Sequence, residues 1–508
     1  MISSMPRALA GLMLAVFVSP LFAQAPAAPP AVPDGRQGAP AGRQGDPGGG
    51  RGRGPQVPFV PGPGRSNDPF TAPIATTEGV IKVNFTEFAT IPDTAEGQPP
   101  RMNLLVDEPG TRRLFVNTMT GQIHGVSYDG KTVTPYLDVN ASGVPVQSAG
   151  SERGFQSFAF HPQFGRRGTP GFGKFYVYTD TSNMTPTADF TPLGAGHTHD
   201  TVLLEYTAKD PTAAKYDGDA PKELFRAAQP FQNHNGGQIA FNPLVTSGAE
   251  FGLLYVGLAD GGSGGDPYNM AQNLNSAFGK ILRINPLGNN SANGKYGIPP
   301  SNPFAGKPGM LGEIYAYGVR NPQRFGWDSK NGAMFVADIG QNIIEEVSPV
   351  TAGANLGWNV WEASFKFFSR EVSIEDQRAD PKMTYPVAEY DHRDPLNINN
   401  RAAITGTYIY RQNAIPQLAH LLIFGDNPSG EIYYVDADKL PKGGQASVHR
   451  ILFNDNGETK TLFQLVKEKN AKQGKPIAAR VDLRMGMGPN GQFFVLNKHD
   501  GIIRQLLK

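Results

Sequence analysis

Pairs of short β-type runs separated by a turn recur six times along this chain, and that recurrence limits the fold more than any other feature. Arg113-Leu114-Phe115-Val116 passes through Thr120-Gly121 into Gln122-Ile123-His124-Gly125-Val126. Phe175-Tyr176-Val177-Tyr178 precedes Thr201-Val202-Leu203-Leu204, and Leu254-Tyr255-Val256-Gly257 precedes Lys280-Ile281-Leu282-Arg283-Ile284. Met334-Phe335-Val336-Ala337, Leu421-Leu422-Ile423-Phe424 and Phe493-Phe494-Val495-Leu496 open the remaining three. The markers Phe115, Tyr176, Tyr255, Phe335, Ile423 and Phe494 lie about 60 to 90 residues apart, which suits four-stranded units carrying insertions. Helical periodicity is scarce, and 61 Gly and 44 Pro stand beside only 18% charged residues. That balance favours loop-rich β architecture. The pattern predicts an all-β fold, a six-bladed β-propeller over residues 75–508; a β-sandwich would need less chain.

The N-terminus follows another logic. Arg7 precedes the apolar run Ala8 to Val18, and Pro20-Leu21-Phe22-Ala23 resembles a cleavage approach. Residues 1–23 therefore read as a secretory signal peptide, too short in its apolar part to span a bilayer. Export to the periplasm or medium follows, with no membrane insertion after cleavage. Residues 24–74 are dominated by Pro, Gly, Ala, Arg and Gln, a composition expected to remain a disordered linker. The chain has no cysteine, which excludes disulfides and thiol chemistry. A net charge of +1 gives no reason to expect a nucleic-acid partner.

Two turns carry chemistry. Asn233-His234-Asn235-Gly236-Gly237-Gln238 offers an imidazole whose neighbours can fix its tautomer, leaving one nitrogen as a base. Tyr317-Gly318-Val319-Arg320-Asn321-Pro322-Gln323 offers a planar cation beside amides, suited to a carbonyl or a carboxylate. In a propeller, strand-end loops converge on one axis, so His234, Arg320, Arg411 and Arg484 from successive repeats can share a pocket. Several arginines there would repel one another unless a polyanion lay among them. Asp338-Ile339-Gly340-Gln341-Asn342 has the make-up of a turn presenting oxygens to a hard cation, or of an ordinary hairpin. The Gly-rich loop from Asp260 to Pro267 lacks the Lys and helix of a phosphate loop. His197-Thr198-His199 lacks a third ligand, and His161 reads as a turn residue.

Taken in order, Glu152-Arg153-Gly154, His234-Asn235-Gly236-Gly237-Gln238, Asp260 to Pro267, Gly318-Val319-Arg320-Asn321-Pro322, Asp338-Ile339-Gly340-Gln341 and Asn355-Leu356-Gly357-Trp358 resemble the soluble glucose/sorbosone (aldose sugar) dehydrogenases. Those enzymes use pyrroloquinoline quinone (PQQ) and Ca²⁺, and the resemblance spans roughly residues 95 to 508. It implies that His234 is the catalytic base and that Arg320 polarises the quinone. Arg320, Asn321, Gln323, Arg411 and Arg484 become cofactor contacts by the same resemblance, and Glu152, Asn233 and Asp260 substrate contacts. Gly340 and Gln341 become main-chain ligands of a bridging calcium, with Glu346 and the carbonyl of Leu356 at a second, structural one. Glu152 departs from the family's usual Gln and Leu356 from its Tyr. The implied activity is oxidation of an aldose at C1 to a lactone, with an unknown electron acceptor. A calcium-dependent lactonase and a non-catalytic ligand-binding propeller remain open.

Overall fold

The computed structural model describes residues 60–94, 98–150 and 152–508. The signal segment and most of the linker lie outside these residues. Residues 60–74, assigned by composition to the linker, belong to the folded unit, which starts at Val60. Arg65–Ser66 pairs antiparallel with Val372–Ser373, Phe70 stacks edge-on against Phe365, and Ile74 is buried. A few apolar side chains in this Pro- and Gly-rich stretch are enough to fix it to the folded body.

The architecture is all-β and propeller-like. Four separate four-stranded antiparallel sheets follow in chain order. The first runs Met102–Glu108, Arg113–Thr118, Gln122–Ser127 and Val133–Asp138. The second spans Phe155–Phe160 to Lys222–Gln229, the third Ile239–Phe241 to Ile314–Tyr317, and the fourth Pro322–Trp327 to Ala388–Asp391. In place of two further separate sheets, the last two repeats share one nine-stranded sheet. The strand Ile81–Thr90 makes the join, pairing first in parallel with Ile451–Phe453 and then antiparallel with Ile502–Leu507. N-terminal chain thus closes the C-terminal repeat, and Arg484–Met487 packs back on Met102–Glu108 to complete the ring.

Each sheet is covered on both faces by its neighbours, so strands that the sequence writes as continuous apolar runs are buried along their length. All five residues of Leu254–Leu258 and all six of Leu421–Asp426 are buried. Polar ties link the strands that begin successive sheets. Ser157 Oγ accepts from Ile239 N at 3.0 Å, and Gln238 Oε1 from Phe325 N at 2.9 Å. Arg324 Nη2 donates to Asn103 O at 2.7 Å, across the ring. The one α-helix among the described residues, Leu462–Lys472, starts at a Thr461–Gln464 capping box and packs Leu462, Leu465 and Val466 inward. No helix among the described residues is long and apolar enough to cross a membrane.

Candidate functional site

Strand-end loops of several sheets surround a cavity of about 460 Å³, within the size range of small-molecule sites. Its walls include Glu152, His234, Arg320, Asn321, Gln323, Gly340, Gln341 and Arg484. Residues far apart in sequence therefore meet, as an axial pocket requires.

His234 stands in the turn before Ile239–Phe241, buried, with φ of 56°. Left-handed backbone at a non-glycine residue costs of order 1 kcal/mol and is held only by its surroundings. Here Glu152 Oε2 accepts the His234 backbone N–H at 2.8 Å. The ring lies between two partners that define its tautomer. Nδ1 is 2.7 Å from Asp260 Oδ1, and Nε2 is 2.7 Å from Arg320 Nη2. A carboxylate only accepts and a guanidinium only donates, so Nδ1 carries the proton and Nε2 keeps its lone pair.

Asp260 is fully engaged. Its Oδ1 also accepts Gly262 N–H at 2.9 Å, and its Oδ2 accepts the Trp358 indole N–H at 2.9 Å. Burial pushes this carboxyl up, but His234, Arg320 and the Gly262 N–H outweigh it and hold Asp260 below the usual carboxylate range. Asp260, expected as a substrate contact, is thus bonded to His234, Gly262 and Trp358 and does not line the cavity. Asn233 also falls away from the cavity wall, its Oδ1 accepting Ser263 N–H at 3.1 Å.

Arg320 is equally constrained. Nε donates to Gln341 Oε1 at 3.1 Å and Nη1 to Ile339 O at 2.8 Å, while the guanidinium lies 5.6 Å from the Trp358 ring centroid. Backbone N–H groups of Arg320 and Asn321 donate to the two oxygens of Asp338 at 2.8 and 2.7 Å. Burial lifts the Asp338 carboxyl to about 7 despite these bonds.

The loop after Asp338 is wound on another carboxylate. Glu362 Oε1 accepts four successive backbone N–H groups, from Gln341, Asn342, Ile343 and Ile344, at 2.8 to 3.2 Å. Gly340 must be glycine, because a Cβ there would sit 1.7 Å from Ile344 O. With their N–H groups committed inward, Gly340 and Gln341 border the cavity, and their carbonyl oxygens accept no hydrogen bond from the described residues. That loop suits a hard cation. The residues expected at a second site are buried. Glu346 is buried, with Ser348 Oγ as its one hydrogen-bond donor among the described residues, and burial followed by the like charges of Asp338, Glu389 and Glu362 raises its pKa well above the usual value. Leu356 is buried as well. Among the described residues no group of three or more His, Asp or Glu side chains is placed to hold a metal ion.

Arg411 requires a correction. It was expected beside Arg484, yet it lies outside the cavity, in ion pairs with Asp328 and Asp438, both at 2.7 Å. The reason is strand polarity. Ala402 and Ala403 line the cavity, and the seven-residue strand Ile404–Tyr410 then carries the chain about 23 Å away. Arg484, by contrast, begins its strand at the cavity. The same wall holds Arg480 and Lys498, with exposed Arg393 and Arg401 also lining the cavity. Sequence reasoning passed over Lys498, Arg393 and Arg401, whose short polar turns carry no distinguishing pattern. His199 is buried against Asn235 at 2.9 Å and Asp180 at 3.6 Å, and His197 pairs with Asp200. Those contacts are structural.

A family profile described as Glucose / Sorbosone dehydrogenase matches residues 98–473. The chain belongs to that family. HIPL1 protein of Arabidopsis thaliana is 31% identical over 369 residues, covering 65% of this chain and 51% of its own length. Human Hedgehog-interacting protein is 28% identical over 235 residues, covering 46% of this chain and 31% of its own length. This chain thus spans about half, or less, of those relatives' length. Among solved structures, the PQQ-bound aldose sugar dehydrogenase of Streptomyces coelicolor superposes with a TM-score of 0.53 at 20% identity, over 86% of this chain and 99% of that one. The fold is therefore that of the family's sugar dehydrogenases.

Proposed function

We propose that this protein is an exported quinoprotein oxidoreductase that oxidises the C1 hydroxyl of an aldose to a lactone, with PQQ and Ca²⁺ in the axial cavity. One observation carries the reading: a single cavity joins an oriented neutral imidazole to the buried Arg484 guanidinium, which has no acidic hydrogen-bond partner among the described residues. Arg484 donates to Asn103 Oδ1 at 2.8 Å and to Leu483 O at 2.7 Å, both neutral acceptors. Arg324, buried nearby, likewise donates, among the described residues, to the carbonyls of Gln323 and Asn103. Uncompensated buried cations call for an anion, and a flat tricarboxylate satisfies that demand. The residues present fit the cofactor.

Arg484, with Asn321 and Gln323, would hold the quinone, and the carbonyls of Gly340 and Gln341 would hold calcium. When bound, the quinone supplies a two-electron acceptor for hydride from the sugar's C1. His234 Nε2 takes the proton of the anomeric hydroxyl once that hydroxyl replaces Arg320 Nη2 as its partner. Asp260 keeps Nδ1 protonated and stabilises the imidazolium that results. Arg320, fixed by Ile339 and Gln341, would place a positive charge where the quinone gains negative charge. Glu152, exposed at the wall and bonded to the backbone of His234, meets the sugar. Counted as two blades, the nine-stranded sheet brings the propeller to six.

The test is reconstitution. Ligand-free protein receives PQQ and Ca²⁺, and reduction of an artificial electron acceptor is followed with a panel of aldoses. Sugar-dependent turnover supports the proposal. Quinone binding without turnover on any aldose would leave a binding protein, the role named for Hedgehog-interacting protein. No quinone binding removes the proposal altogether.

A further inference from the structure

Two lysines are buried among the described residues, and their surroundings differ. Lys280 Nζ donates to three carbonyl oxygens, of Met270, Ala271 and Phe278, at 2.7 to 2.9 Å. Every N–H of that ammonium is used, and its place is structural. Lys498, 6% exposed, has no hydrogen-bond or ion-pair partner for Nζ among the described residues. It forms part of the cavity wall beside Arg480 and Arg484, and also of an adjoining cavity of about 800 Å³ bordered by Arg101, Asp482 and His499.

The charges facing Lys498 are mostly of its own sign. Arg484 comes from the strand that starts at the cavity, Arg480 and Asp482 from the segment before it, and Arg101 from the segment before Met102–Glu108. The single carboxylate among them is already engaged. Asp482 pairs with Arg480 at 2.5 Å and with His499 Nε2 at 2.9 Å. Burial, then Arg484, Arg101 and Arg480, holds the Lys498 amine well below its usual 10.5, with Asp482 opposing. A long flexible amine, unpaired among fixed guanidinium groups, is the one cation here that can shed its charge when no anion is present.

We propose that Lys498 is the charge-pairing residue at the cationic end of the cavity, taking up one proton from solvent as a carboxylate of an anionic ligand enters. The inference deepens the quinone reading and rests on it for the identity of that ligand. Lys498 acts in holding the anion, away from His234 and its proton.

Calorimetric titration with PQQ and Ca²⁺ at about pH 8, in two buffers of different ionisation enthalpy, counts the protons exchanged. The wild-type protein should take up about one proton per quinone, as a neutral amine becoming charged requires. Lys498→Met should bind about tenfold more weakly or worse, with no proton uptake. Lys498→Arg should recover affinity without uptake, because a guanidinium is already charged. Quinone binding without proton uptake in the wild type, or unchanged uptake in Lys498→Met, overturns the inference. Titration with pyridine-2,6-dicarboxylate separates the two readings. If it binds with Lys498-dependent uptake while PQQ does not bind, the Lys498 assignment stands and the quinone reading fails. If neither anion binds, both fall. Lys498→Met should also melt at a higher temperature than the ligand-free wild type, which confirms that the variant folds; a lower melting temperature with intact binding counts against an unpaired buried amine.

Discussion

The two ends of the cavity solve the problem of buried charge in opposite ways. Around His234, donors and acceptors close on one another: Asp260 takes Nδ1–H, Arg320 donates to Nε2, and Ile339 and Gln341 hold Arg320. Around Arg484 and Lys498, cations meet neutral carbonyls or nothing. Burial and the like charge of Arg324 lower the Arg484 guanidinium to about 9. Under the proposed function, the first end is prepared for a reaction without any ligand and the second is completed by an anion. Asp482, the carboxylate beside these cations, is already taken up by Arg480 and His499, whereas Arg411 has two carboxylates of its own.

The sharpest test of the prepared end is His234→Ala. It should lower turnover by about a hundredfold to ten-thousandfold while quinone affinity stays near wild type, read by acceptor reduction beside an absorbance titration. Near-normal turnover would strip the imidazole of its role. Next in size is Arg484→Met, expected to weaken quinone binding by about thirtyfold or more. Its control is Arg411→Met, which should leave quinone affinity and kcat unchanged and lower the melting temperature, because Asp328 loses its charged partner while Asp438 keeps Lys330 and His420. Equal loss of quinone binding in both variants would erase the distinction between the two arginines. Asp260→Asn should reduce kcat by about tenfold to a hundredfold, since the amide can leave Nδ1 unprotonated, and should alter the pH profile of kcat. The smallest effect is a pH dependence. An amine depressed in the folded state destabilises the protein wherever the unfolded chain binds the extra proton. The melting advantage of Lys498→Met should therefore be present at neutral pH and shrink as pH rises toward 10.5. An advantage independent of pH would mean that packing, not charge, explains it.

The repeats were legible because strand periodicity and turn residues are local. Phe115, Tyr176, Tyr255, Phe335, Ile423 and Phe494 all lie buried or nearly so on strands of successive repeats. The merging of the last two repeats was not legible, because Ile81–Thr90 divides its hydrogen bonds between two partners distant in sequence. Likewise, composition assigned residues 60–74 to a linker because it counts Pro and Gly, whereas Ile74 and Phe70 find their pockets only in the folded chain. At the site, His234, Arg320 and Arg484 were visible as residue types in suggestive turns. Their partners were not: Glu362 holding four backbone amides, or Asp260 serving the histidine, depends on which loops are brought together.

By itself the sequence determined an all-β chain of repeated strand pairs, with an imidazole and guanidinium groups at loop positions. The tertiary structure decided which of those groups are answered and which are left open. Arg411 and Arg484 have the same side chain. One ends a strand that begins at the cavity and meets two carboxylates, and the other begins a strand there and meets none. Charge compensation depends on distance through space, and a linear pattern records only distance along the chain.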